Sequence, residues 1–210
     1  MEFDLAITDA LLSTTRAVRK RLDLNRAVPR DVVMDCIRLS MQAPTASNSQ
    51  IWRWLLVDDP AKRAALGEIY RDAGRDYLAA SAATTKGEGQ MGRVMDSALW
   101  LAENMGKAPV IAIPCIEGGF GQGAPIAMLA SQYASIYPAV WSFQLALRAR
   151  GLGSTLTTLH LLKAGEVAAL LDLPDTVQQV AMLPVAYTIG TNFKPAERPA
   201  PETIVHWNAW

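Results

Sequence analysis

Cysteine and histidine are scarce in this 210-residue chain, and neither sign of charge is in excess. Its two cysteines, Cys36 and Cys115, lie far apart, whereas a disulfide framework or a cysteine metal site needs more thiols at closer spacing. Both read as core residues of a reduced, cytoplasmic protein. Lys and Arg together number 20, as do Asp and Glu, so no global field favours nucleic acid or an anionic membrane. A local basic cluster can still hold a phosphate. His206 lacks a ligand-spaced partner, and His160 reads as a polar residue at a strand exit in preference to a proton donor. No Ser-His-Asp order and no glycosidase carboxylate pair is defined. Gly118, Gly119, Gly121 and Gly123 lack both the Lys-Ser/Thr ending and the dinucleotide spacing of the phosphate-binding fingerprints. The most apolar long stretch, residues 124–147, is interrupted by Gln132, Ser135, Pro138, Ser142 and Gln144. It is a poor membrane span and a reasonable buried helix. Met1-Glu2-Phe3-Asp4 shows no basic region followed by an apolar run, so no signal peptide is expected.

Half of the residues are hydrophobic, enough for one compact domain over residues 1–210 with a substantial core. Asp4 suits an N-cap for a helix ending near Thr14. Pro29 suits the first turn of a second helix, on which Val33, Ile37 and Met41 define a buried face. Residues 52–58 read as a strand, and Asp58-Asp59 before Pro60 cap a long, fairly polar helix to about residue 83. Residues 84–90 lack apolar anchors and are expected to form a mobile excursion. A helix through Val94, Leu99 and Met105 then leads into residues 108–115, a near-continuous apolar run typical of a central strand buried on both faces. Residues 127–150 give two helical stretches meeting at Pro138, ended by Gly151 to Gly153. Residues 155–159 are short and β-prone, 165–171 form a brief helix, and 180–189 another buried strand. The tail carries Pro195, Pro199 and Pro201 and closes on Trp207 and Trp210. Alternating helices and strands with this tail fit one layered α/β domain plus an extended arm.

Four blocks could carry chemistry. The link Ala43-Pro44-Thr45-Ala46-Ser47-Asn48-Ser49-Gln50-Ile51-Trp52 joins a helix to a strand. It offers donors and acceptors on small side chains, which suits a flat polar ligand edge. Arg16 and Arg19, with Lys20 and Arg21 alongside, follow the first helix, and guanidinium groups form forked hydrogen bonds to phosphate. Gly151-Leu152-Gly153-Ser154-Thr155-Leu156-Thr157-Thr158-Leu159 is by itself a glycine helix stop followed by a strand. Pro184-Val185-Ala186-Tyr187 and the later Arg198-Pro199 make the fourth block.

In family order these blocks resemble the FMN-dependent nitroreductases. The polar link resembles their Ala-Pro-Ser-x-x-Asn-x-Gln-Pro-Trp signature, with Thr45 for Ser and Ile51 for Pro. Arg16 and Arg19 fall on an Arg-Arg-Ser-x-Arg motif in which Thr15 and Ala17 replace the first arginine and the serine. The third block resembles a Gly-Leu-Gly-Ser/Thr block, and Thr157-Thr158 resemble the threonine-rich branch that includes iodotyrosine deiodinase. Ala186 replaces Gly in the family's Pro-Val/Ile-Gly-Tyr strand.

The resemblance implies an α+β, three-layer nitroreductase-like fold, with a mixed central β-sheet flanked by helices and an extended C-terminal arm. It implies FMN held by Arg16, Arg19 and Arg198 at the phosphate and lined by Thr45, Ser47, Asn48 and Gln50, with Thr157 or Thr158 beside the flavin N5. It further implies a homodimer with FMN at the interface, NADH or NADPH as electron donor, and a flat small-molecule acceptor such as a nitroaromatic or quinone. The flavin carries the redox chemistry, so no acid-base side chain is assigned. Other flavin chemistry on the same fold, reductive dehalogenation or flavin destruction, stays open. So does a flavin-binding protein with little turnover.

Overall fold

The structure is a computed structural model that describes residues 2–85, 89–118, 121 and 123–210. Helix α1 spans Leu5–Thr14, and the Asp4 carboxylate accepts from the Ile7 N–H at 3.1 Å, satisfying one otherwise orphaned donor. Pro29 precedes α2, Arg30–Ser40, which buries Val33, Cys36, Ile37 and Ser40. Met41 lies past the helix end and is exposed, so the expected face closes on Ser40 instead. Strand β1 is Trp52–Val57. Helix α3 runs Pro60–Thr85 and α4 runs Gly89–Asn104. At the start of α3 Asp59 accepts from the Lys62 N–H at 2.8 Å, while Asp58 pairs with Arg30. Of the segment 84–90 expected to be an excursion, the flanks are helical and residues 86–88 lie outside the described residues.

Strand β2, Val110–Glu117, is the centre of the sheet and pairs antiparallel with β1, with β4 (Val177–Gln179) and with β5 (Leu183–Tyr187). Strand β3, Leu152–Ser154, extends the order to β1-β2-β5-β3. The ladders are antiparallel, and an isolated bridge from Ala17 to Ser154 is parallel. Side chains alternate along β2. Val110, Ala112 and Ile116 pack against α2 and the later helix α5, Ile126–Ala149, while Ile111, Ile113 and Cys115 pack against α3 and α4. The result is helix, sheet, helix, which is the expected three-layer α+β arrangement. Both thiols are free and buried.

Helix α5 is one continuous element, Ile126–Ala149, with Pro138 inside it, rather than two stretches meeting there. A proline within a helix removes a hydrogen bond and costs about 3 kcal/mol. Here Ser135, Ile136, Ala139, Val140 and Phe143 are buried around it, and that packing offsets the loss. Residues 155–159 form no ladder. Thr157 makes a single bridge to Met182, and the chain then turns through Leu159–Lys163 into α6, Ala164–Leu171. Beyond Tyr187 the chain is an extended, largely exposed arm. Among the described residues, no helix is long and apolar enough to cross a membrane.

Candidate functional site

The arginine segment and the Gly151–Leu159 block meet along β3. After α1 the backbone turns extended at Thr15, Ala17 bridges to Ser154, and the Val18 N–H donates to the Ser154 carbonyl at 2.9 Å. A Cβ on Gly153 would lie 2.7 Å from Thr188 Cγ2 and 3.0 Å from Val18 Cβ. Glycine at 153 therefore lets the arginine-bearing segment lie flat against the sheet.

That anchoring sorts the basic cluster. Lys20 pairs with Asp96, and Arg21 is held by the Ile189 carbonyl at 2.9 Å and the Asn192 side chain at 3.1 Å. Arg16 and Arg19 instead border an open cavity of about 380 Å³ between α4 and the arm, lined also by Gln90, Arg93, Ser97 and Glu197. Arg16 donates to the Lys194 carbonyl at 2.8 Å, and Arg19 to Ser97 Oγ at 3.3 Å. A guanidinium has five N–H donors, so both retain capacity for a further acceptor. Burial lowers the Arg19 pKa from its ordinary value, but an arginine stays charged in a protein. Arg198 is not among the described residues that line this cavity. It is exposed and donates to the Glu197 carbonyl at 2.9 Å, one position beyond the lining.

Behind Arg19 stands a residue that the sequence reading passed over. Tyr70, on α3, is buried, and its hydroxyl lies 2.9 Å from Thr157 Oγ1. Burial raises the Tyr70 pKa, while the Thr157 hydrogen bond and the nearby Arg19 charge oppose that rise. Tyr70 thus bonds to the threonine loop and feels the Arg19 charge, while neither Thr157 nor Thr158 lines the Arg16–Arg19 cavity among the described residues. Thr157 is half-buried with its backbone N–H and carbonyl both bonded to Met182, at 3.0 and 2.8 Å. Thr158 is exposed.

Residues 45–50 form a self-braced loop around a 3₁₀ turn, Ala46–Asn48. The Ala46 N–H donates to Ser135 Oγ of α5 at 2.9 Å, Gln50 N–H to Thr45 Oγ1 at 3.3 Å, and the Gln50 amide to Asn48 Oδ1 at 3.1 Å. Ser47, Asn48 and Gln50 all have φ near +50°. Left-handed backbone at non-glycine residues costs about 1–2 kcal/mol each and is concentrated at ligand-binding positions. No residue of this loop lines the Arg16–Arg19 cavity among the described residues.

His160 is wholly buried in the turn after Thr158, and neither ring nitrogen has a hydrogen-bond partner among the described residues. Burial lowers its pKa to about 4, so the ring is neutral near pH 7 and unsuited to donating a proton. It is a core residue and not a polar strand exit.

The chain belongs to the nitroreductase family, whose model matches residues 12–187. Among curated proteins none matches by sequence. Solved structures share its fold. Iodotyrosine deiodinase bound to FMN and 3-iodo-L-tyrosine superposes with a TM-score of 0.73 at 22% identity, covering 96% of this chain and 99% of that one. The FMN-dependent nitroreductase NfnB of Mycobacterium smegmatis, in complex with NADPH, gives 0.72 at 18% identity over 98% and 100%. The FMN- and NADPH-dependent NfnB of Sphigopyxis sp. strain HMH gives 0.71 at 18% over 96% and 99%.

Proposed function

We propose that this protein is an FMN-dependent oxidoreductase that moves electrons from NADH or NADPH to a flat acceptor such as a nitroaromatic or a quinone. The observation that carries the reading is the convergence of Arg16, Arg19, Tyr70 and Thr157, which ties a cationic cavity to the loop expected beside the flavin ring. The donor set fits FMN: two guanidinium groups with free N–H donors suit the phosphate, and the neutral hydroxyls and amides beyond them suit the polar edge of the ring. Arg198 adds a third cation from the arm. Bound FMN would supply the two-electron chemistry by accepting hydride and passing it to an acceptor. The protein's residues hold and orient: Arg16 and Arg19 bind, Thr157-Thr158 shape the ring edge, and Thr45, Ser47, Asn48 and Gln50 line the site.

The Thr45–Gln50 residues reach that site in a homodimer, supplied by a second copy. Supporting this, Ile126 and Trp141 on α5 and Trp207 and Trp210 on the arm are 85%, 44%, 83% and 101% exposed. So much exposed apolar surface favours a partner. The protein is read as cytoplasmic, with neither nucleic acid nor membrane as partner.

The test is the visible spectrum of the purified protein, FMN release on denaturation, and anaerobic reduction by each nicotinamide, followed by turnover with nitroaromatic and quinone acceptors. One FMN per chain and reduction by either donor support the reading. Protein that stays colourless after incubation with FMN overturns it. The threonine pair, together with the fold shared with iodotyrosine deiodinase, favours reductive dehalogenation as the second reading. Halide release from a halogenated phenol without nitroaromatic turnover would select it. FMN binding with slow turnover of every acceptor would mark a flavin carrier.

A further inference from the structure

We propose that Tyr70 is a positioning residue of the redox site: its hydroxyl holds the Thr157 side chain inward, so that Thr158, not Thr157, faces the flavin ring. The inference rests on the FMN reading above and decides which threonine serves it.

The hydrogen bonds make the assignment. Thr157 is restrained at three points: its N–H donates to the Met182 carbonyl, its carbonyl accepts from the Met182 N–H, and its hydroxyl pairs with Tyr70 at 2.9 Å. Its backbone is therefore fully used and its side chain is committed to α3. Thr158 differs on each count. It is exposed, and among the described residues neither its N–H nor its hydroxyl has a partner, while its carbonyl accepts from the Leu161 N–H at 3.0 Å. With Thr157 held inward, the exposed Thr158, at φ −126° and ψ 2° before the Leu159–Lys163 turn, is the threonine left open to a ligand.

Tyr70 suits a holding role better than a chemical one. It is only 3% exposed, so a substrate cannot reach its hydroxyl. Burial keeps the phenol neutral, and a neutral hydroxyl can donate to or accept from Thr157. The nearby Arg19 charge opposes the rise in the Tyr70 pKa that burial causes. Loosening the clamp would free the Thr157 side chain, changing the packing beneath Thr158 while leaving the phosphate grip alone.

The experiment compares the FMN-loaded parent with Tyr70→Phe, Thr157→Val, the double variant and Thr157→Ser. The readouts are FMN affinity and the midpoint potential of the bound flavin, measured anaerobically by equilibration with a reference dye. Tyr70→Phe should keep FMN affinity and shift the potential. Thr157→Val should shift it by the same amount, the double variant should add nothing further, and Thr157→Ser should match the parent. A parent-like potential in Tyr70→Phe, or a shift in Thr157→Val alone, overturns the inference. If Tyr70→Phe fails to fold, Thr157→Val decides, since it cuts the same bond from the other end; an unshifted potential there is fatal to the idea. A parent protein that binds no FMN refutes the functional reading instead, which keeps the two failures distinct.

Discussion

Gly67 and Gly106 meet backbone to backbone: a Cβ placed on Gly67 would lie 2.7 Å from the Gly106 nitrogen and 2.8 Å from its Cα. The contact seats the turn Met105–Lys107, which leads into the central strand, directly on α3. It therefore helps set the height of the helix that carries Tyr70.

Gly67→Ala should destabilise the protein although alanine is the better helix former. The propensity gain is about 1 kcal/mol, whereas forcing an atom into a packed contact typically costs about 1–3 kcal/mol, and here the neighbours are rigid backbone. Gly165→Ala is the control, because nothing lies within 4 Å of a Cβ there. Urea unfolding should give a lower midpoint for Gly67→Ala and an unchanged or higher one for Gly165→Ala.

Arg19→Ala should weaken FMN more than Lys20→Ala. Arg19 borders the cavity with donors to spare, whereas Lys20 is engaged with Asp96. Loss of a charge-assisted hydrogen bond is worth about 1.5–3 kcal/mol, or roughly ten- to a hundredfold in affinity. Flavin fluorescence quenching measures both constants, and equal values would mean that the phosphate sits elsewhere.

His160 should make the fold acid-sensitive. Its pKa is lowered to about 4 in the folded protein, against an ordinary value of 6.5. The unfolded chain therefore binds the proton more readily, and stability present above pH 6.5 is lost as pH falls toward 4. The loss between pH 7 and pH 5 is about 2 kcal/mol from this group. Denaturant midpoints at the two pH values should differ by less in His160→Gln than in the parent, whatever that variant does to stability at pH 7.

Cys115 should be inert until the protein unfolds. Burial leaves it 1% exposed and pushes its thiol up to about 12, and the thiolate is the reactive form. Labelling with a disulfide reagent at pH 8 should be negligible in native protein. Two thiols per chain should react in denaturant, matching Cys36 and Cys115.

Local chemistry was legible wherever a residue acts on its immediate neighbours. Asp4 could be read as a cap because its carboxylate needs only the N–H three residues on, and the alternating faces of β2 follow from an apolar run of strand length. The arginine pair, the polar loop and the threonines are proposed as site residues from residue type and family order alone. What needed the tertiary structure was every partnership across the chain. Pro138 looked like a break because its helix penalty is local, but Ile136, Ala139, Val140 and Phe143 around it pack into one core with α2 and the sheet, and that packing overrides it. Family order set Arg16 and Arg19 apart from Lys20 and Arg21, but only the structure shows Asp96, Ile189 and Asn192 engaging the latter two while Arg16 and Arg19 border the cavity. Tyr70 gave no signal at all, since its partner Thr157 lies 87 positions away. Propensity and capping depend on a few consecutive residues, whereas a hydrogen bond between α3 and the threonine loop exists only once the sheet has brought them together.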